Sequence, residues 1–444
     1  MATAAAPSRF ILSESRFLRF FTLALFYVSQ GVPAGVTIIG IPAWAAASGA
    51  SAETVASLVA AAYLVPSFKF LVGPVVDRYG FLPMGKRRPW LIGAQAVMTA
   101  AWIAAAVIAP GPNDTAVLVA ITFLVSGATA IQDVAADGLA VDILQEGEEG
   151  PAGAYTFGSA IISMAASGAA AGYLLQNYGP QVTFLAFLPV IALVTVFAIR
   201  VLERPGERRW PWSEGRPSPD ARHSKPEAWL PLMREVLRQI VKRDSLIYIA
   251  SIVAVGLAAG MGTPMWTLYA TNLAGFDAAS FTALLSGIAL PATGIGIVLM
   301  GYLAPRFGAR NLLAAMVLGQ GAVAAVAGFE PLLFTTTAAF TALMIADGSF
   351  SPMRQMNQQA IRMALSDSRV GATQMTVYNS LGNFPLSGGA ALFAALGGLA
   401  ALSLVLWTMA GLYALGIVFI LMLRVGLRTP PRAGERAMEA TLHE

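Results

Sequence analysis

"KFLVGPVVDRYGFLPMGKRRPW", residues 69–90, decides the fold. It opens with a lysine embedded in apolar sequence, passes through Asp77 and Arg78, and closes on Lys86, Arg87 and Arg88. The residues before it are largely apolar, so the pattern reads as a helix that crosses hydrocarbon and ends in charge. The whole chain repeats this theme. Over 444 residues it is 57% hydrophobic and only 12% charged, where a soluble domain carries about 25% charged residues. Apolar stretches of roughly 18 residues or more recur along its length, each able to span a bilayer as a helix. The sequence therefore describes an all-α integral membrane protein.

Twelve spans are predicted, near 19–46, 54–76, 90–109, 116–140, 152–175, 181–201, 246–271, 279–304, 311–328, 332–362, 371–396 and 399–424. They divide the chain into a six-helix bundle at 1–201, a cytoplasmic linker with a surface helix at 202–244, a second six-helix bundle at 245–424 and a cytoplasmic tail at 425–444. Of the 28 Lys and Arg, all except Lys69 and Arg354 fall on one side, the side that carries both termini. The opposite loops carry only Glu53, Asp114, Asp277 and Glu330. The bias of basic residues toward cytoplasmic loops then puts both termini inside. The same bias accounts for the net charge of +4, so no nucleic-acid partner is expected. The N-terminus lacks a short apolar core with a small-residue cleavage site, so no cleaved signal peptide is read.

An internal repeat supports the two bundles. "GPVVDRYG", residues 73–80, follows the second span, and "GYLAPRFG", residues 301–308, follows the eighth. Duplicated bundles of this kind are typical of transporters that rock two halves about a central site. The first copy resembles the signature of the major facilitator superfamily, in which Gly, Asp-Arg and a basic run lie between the second and third helices. That resemblance implies a twelve-helix fold of two bundles and a cytoplasmic gate built from Gly73, Asp77, Arg78, Gly80, Arg87 and Arg88. The inserted "FLPM" and the run into "PWLIGAQ" are similar to AmpG-type muropeptide permeases and to the acetyl-CoA transporter family. So are "ATAIQDVAADGLAVDIL", residues 128–144, and "GATQMTVYNSLGNF", residues 371–384. Small AmpG-like siderophore importers share the twelve-span length.

Charge inside a membrane is costly, so it defaults to function. Lys69 lies eight residues before Asp77, about 12 Å along a helix, too deep for easy snorkelling. Asp133 and Asp137 are spaced i, i+4 on one face. Two such carboxylates cannot both ionise cheaply in a low dielectric, so one is expected to carry a proton, with Lys69 as its charge partner or as an anion contact. In the second bundle Arg354 can grip a carboxylate or phosphate. With Lys69, Gln358, Gln374, Tyr378, Asn379 and Asn383 it forms the expected solute site. Trp44, Tyr63, Trp266 and Tyr269 are read as an interfacial belt.

Zero cysteines exclude disulfides and thiolate chemistry. His223 and His443 sit alone in polar segments, so no metal site or cofactor is expected. No nucleotide-binding P-loop appears, and an enzymatic role is not indicated. The expected function is a monomeric secondary transporter of the inner membrane that imports a polar or anionic solute with protons. Muropeptides head the list by resemblance, with ferric siderophores next. A transporter-shaped assembly factor that does not transport is the alternative from another class.

Overall fold

A computed structural model describes residues 10–79, 81–145, 148–216, 229–366 and 371–424. Within them the chain is helical apart from short turns and one isolated bridge between Ile11 and Leu202. The membrane-length helices are α1 (Arg16–Ala47), α2 (Ala52–Val76), α3 (Arg88–Ile108) and α4 (Thr115–Ile143). The segment Glu149–Arg200 is one long run broken at Gly179, where φ is 77° and ψ 179°. That left-handed backbone suits glycine and reverses the chain, giving α5 (149–178) and α6 (180–200). After a linker helix, Trp229–Ile240, come α7 (Arg243–Asn272), α8 (Ala278–Phe307), α9 (Ala309–Phe329), α10 (Thr337–Leu365), α11 (Gly371–Ala395) and α12 (Leu402–Met422).

Among the described residues, nine helices are apolar and long enough to cross a membrane, the broken 46-residue stretch counting once. α10 and α11 have the length, 29 and 25 residues, but are more polar, and both contribute polar side chains to the cavity described below. The set is consistent with the twelve predicted crossings. Helices satisfy every backbone polar group internally, which hydrocarbon demands. Their ends are capped locally: Ser51 accepts from the Thr54 amide, and Asp277 and Ser280 cap each other reciprocally.

The first six and last six helices pack alike. The most extensive contacts within each half join α1 to α5 and α7 to α11, pairs at equivalent positions of the sequence repeat. Small residues allow both. A Cβ at Gly31 would come within 2.5 Å of the Ala160 carbonyl oxygen, and one at Gly389 within 2.8 Å of the Met261 amide nitrogen. Close backbone approach of this kind is what drives helix association in lipid.

The halves meet chiefly at the end that carries the acidic loops. Gln176 donates to Asp277 at 2.8 Å and accepts from the Ala279 amide at 2.9 Å; Ser286 donates to the Ala165 carbonyl at 2.7 Å, and Ser387 to that of Ala60 at 3.0 Å. All four lie in the part of their helices nearer those loops. Trp44 and Trp266 are buried there too, Tyr269 is fully enclosed, and Tyr63 lines the cavity described below. The expected interfacial belt is thus corrected. The ends of α1, α2 and α7 nearer the acidic loops close the interior against the other half, so their aromatics face protein instead of lipid.

Candidate functional site

Between the halves lies a cavity of about 640 Å³. Lys69 and Tyr63 of α2 and Phe157 of α5 reach it from one side. Asp347, Arg354 and Gln358 of α10, with Asn379 and Asn383 of α11, reach it from the other.

Lys69 owes its placement to a local irregularity. Residues Val65–Phe68 form a 3-10 turn with Pro66 near its start, and the α-helix resumes at Lys69. Proline cannot continue the hydrogen-bond ladder, so the turn tightens and re-aims the residues after it. Lys69 is ion-paired to Asp133 of α4, both side chains mostly buried at 21% and 15% exposure. An ammonium has three donors, and Lys69 also lines the cavity, so it stands between the carboxylate and whatever the cavity holds. Asp137, one turn on, accepts a hydrogen bond from the Tyr27 hydroxyl of α1. The two carboxylates thus have different partners, a cation and a phenol.

Beside this pair runs a buried network whose glutamines stand in the sequence motifs without an assigned role. Gln95 donates to Ser29 Oγ at 2.5 Å and to Gln132 Oε1 at 2.7 Å; Gln132 donates to the Phe26 carbonyl at 2.9 Å, and Thr195 to Gln95 Oε1 at 3.3 Å. It ties α1, α3, α4 and α6 together next to Asp133. These glutamines orient α4, since a saturated buried network admits few alternative arrangements.

In the other half, Arg354 Nε donates to Gln320 Oε1 at 2.8 Å and Nη1 to Gln358 Oε1 at 3.4 Å. Gln320 of α9 points its amide nitrogen at Asp347 Oδ1, 3.5 Å away. Asp347 and Arg354 therefore share a face and are linked through Gln320 instead of pairing directly. The remaining guanidinium donors have no hydrogen-bond partner among the described residues, and Arg354 lines the cavity. Gln320 was absent from the sequence expectation, although a lone glutamine in the apolar stretch "VLGQGAV" marks it.

On α11 the expected polar set separates. Asn379 and Asn383, four residues apart, line the cavity. Gln374 and Tyr378 share a different face: Gln374 donates to the Tyr378 hydroxyl at 3.0 Å, which donates to Ser245 Oγ at 2.8 Å. Both are fully buried against the start of α7, and neither lines the cavity.

The gate residues divide as well. Gly80 and the side chains of Asp77 and Arg78 lie outside the described residues. A methyl group at Gly73 would meet nothing within 4 Å, so no neighbouring helix packs closely on this gate glycine while the halves are joined at the opposite end. Arg87 pairs with Asp142 at 2.9 Å. The buried Arg88 guanidinium donates to the carbonyls of Met84, Ala198, Ile199, Arg208 and Arg209. Glu203 accepts from the amides of Lys86, Arg87 and Arg88 at 2.7–2.9 Å. The described contacts of Arg87 and Arg88 thus bind the loop before α3 to its own half and to the linker. Nearby, the Arg19 guanidinium grips Glu148 bidentately at 2.6 and 2.8 Å and holds its carboxyl below the usual range.

The architecture is that of a two-bundle membrane transporter with a charged cavity at the bundle interface. The chain matches the Major Facilitator Superfamily over residues 20–389 and belongs to it. It is 24% identical over 383 residues to the anhydromuropeptide permease of Escherichia coli K12, a match covering 83% of this chain and 73% of that one. The same protein of Escherichia coli O157:H7 matches equally. Among solved structures, a peptide transporter POT in complex with sulfate superposes with a TM-score of 0.71 at 12% identity, covering 94% of this chain and 98% of that one. The nucleoside transporter NupG gives 0.67 at 12% identity, covering 91% and 100%. At that identity the structural likeness concerns the fold. Family and relatives are transporters, not enzymes.

Proposed function

We propose that this transporter imports an anionic or polar sugar-peptide of the muropeptide class across an inner membrane, by alternating access and driven by protons. The observation that carries the reading is the position of Lys69, shared between Asp133 and the cavity. An anionic group entering the cavity competes with Asp133 for the ammonium. With that cation drawn away, the Asp133–Asp137 pair takes up one proton, because two uncompensated carboxylates one turn apart repel strongly in a low dielectric. Solute and proton occupancy are thereby linked. Arg354, preset by Gln320 and Gln358, receives a second anionic group of the solute, and Asn379 and Asn383 hydrogen-bond its neutral parts. The name of the 24%-identical permease supports the substrate class.

In this reading residues 1–201 and 245–424 are the rocking bundles, 202–244 the cytoplasmic linker, and both termini face the cytoplasm. The acidic-loop end is then the outer face, and the conformation is closed outward. Asp77 and the basic run control closure of the inner side. The test is uptake into proteoliposomes with and without an imposed pH gradient, offering labelled anhydromuropeptide and a labelled ferric siderophore in parallel. Gradient-dependent accumulation of the muropeptide, abolished in Asp137→Asn, is expected. Accumulation of the siderophore alone would replace the substrate class, and accumulation indifferent to the gradient would remove proton coupling.

A further inference from the structure

Residues 201–216, which follow α6, are folded into a compact loop. Arg208 donates from Nε to the Gly215 carbonyl and from Nη1 to that of Pro211, both at 3.0 Å. Ser213 Oγ accepts from the amides of Arg209 and Trp210 at 3.1 Å, and the Arg216 amide donates to Gly206 at 2.9 Å. The loop is fastened to the end of the bundle: the Arg208 amide donates to Pro83 at 2.6 Å, and Arg88 Nη2 bonds both Ile199 and Arg209 carbonyls, at 2.9 and 3.4 Å. It therefore sits level with the first turn of α3 and the last turn of α6.

On this mount Trp210 and Trp212 stack, ring centroids 5.5 Å apart and planes within 4°. Trp212 is 81% exposed and Trp210 36%. Arg200, Arg209 and Arg216 are exposed, and among the described residues their side chains have no hydrogen-bond or ion-pair partner. The loop's exposed carboxylate is Glu214, so positive charge dominates its exposed face. Two exposed stacked indoles leave apolar area uncovered by protein, while guanidinium groups without a partner are forks for phosphate oxygens.

We infer that this loop is a binding site for the headgroups of anionic phospholipids in the leaflet it abuts, the stacked indoles lying at the interface and Arg200, Arg209 and Arg216 taking the phosphates. Continuity selects lipid as the occupant. α3 and α6 are anchored to the loop by their ends, and Leu193 and Val196, within two turns of that end of α6, are exposed, so the apolar, lipid-type face of α6 leads toward the tryptophans. Tryptophan prefers that interface, and arginines just beyond a span attract anionic headgroups there. The site does not depend on which solute is carried.

Native mass spectrometry of the full-length protein, released from equimolar phosphatidylglycerol and phosphatidylcholine, tests the inference. Wild type should retain phosphatidylglycerol preferentially. Arg209→Gln/Arg216→Gln should lose that preference by roughly fivefold for each arginine, while Arg209→Lys/Arg216→Lys keeps most of it. In vesicles of the same lipids, iodide should quench wild type and Trp212→Phe equally, because lipid shields Trp212; in detergent they should differ. Equal retention of both lipids by wild type would overturn the assignment, as would a preference unchanged in the Gln variant. So would free iodide access to Trp212 in vesicles, which marks a pair facing water and a protein partner.

Discussion

At the scale of single residues, the ion pair of Lys69 with Asp133 separates packing from transport. Removing one member of a buried pair leaves the other uncompensated, at a cost of about 3 kcal/mol or more, whereas removing both is far milder. Lys69→Met should therefore lower the melting temperature in detergent, and Lys69→Met/Asp133→Asn should recover most of the loss without recovering uptake. Recovery of both stability and uptake would reduce the pair to a packing device. Arg354 offers a different contrast. Lysine keeps the charge but cannot reach Gln320 and Gln358 with a planar fork. Arg354→Lys should raise the apparent KM roughly tenfold, about 1.4 kcal/mol, with normal folding; an unchanged KM in uptake assays would place the solute elsewhere. The charged members of this site were legible in the sequence because charge in hydrocarbon is conspicuous. Their neutral partners were not. Tyr27 lies on a helix that touches α4 only in three dimensions, and Gln374 and Asn379 look alike until the helical phase of α11 is known.

At the scale of elements, the chain spends its buried charge on fastening loops as much as on the cavity. Glu203 gathers three amides at the start of α3, and Glu207 accepts from the amides of Glu203 and Arg204 at 3.0 and 3.1 Å. Burial, then the neighbouring Glu203 carboxylate, pushes Glu207 up to about 7. Its folded value thus lies above the ordinary 4.5, so the folded state binds more protons between those two values. Stability contributed by the protonated form is lost as pH rises toward 7 and stays lost above it. Glu207→Gln keeps an acceptor for both amides and cannot ionise. It should melt higher than wild type at pH 8, by at most about 3 kcal/mol at 1.4 kcal/mol per pKa unit, and match it near pH 5. A constant difference across that range in a thermal-shift series would contradict the assignment. This platform was only half legible. Apolar runs and the basic bias predicted the spans and the basic side of the membrane, since hydrocarbon constrains both. The fastening of the basic run is not legible in sequence, because nothing local shows that Glu203, more than a hundred residues on, returns to accept from its amides.

At the scale of the whole molecule, hydrogen bonds across the halves gather at one end while Gly73, at the other, has no close neighbour. A two-bundle transporter must break the first set and form a second to complete a cycle. Gln176 and Asp277 meet at the closed end, and the chain has no cysteine, so a cysteine pair can be introduced without background. Bridged by a short bifunctional or oxidative cross-link, Gln176→Cys/Asp277→Cys should be held closed at the acidic-loop end. Uptake into proteoliposomes should fall to background and return when a reducible link is cleaved, and solute binding from the basic side should persist in the linked state. Each single-cysteine protein, treated identically, should transport normally. Full uptake by the linked protein would mean that the halves need not part between α5 and α8, and the rocking motion would have to pass through the other cross-half contacts, α2 with α11 among them. Those helices meet through Ser387 and Ala60 and through the edge-to-face rings of Phe68 and Phe384, 5.2 Å apart. Phe68 immediately precedes Lys69, so opening there would move the cavity lysine itself. The cross-link therefore distinguishes a cycle in which the charged site rides passively on a bundle from one in which opening the gate disturbs the ion pair.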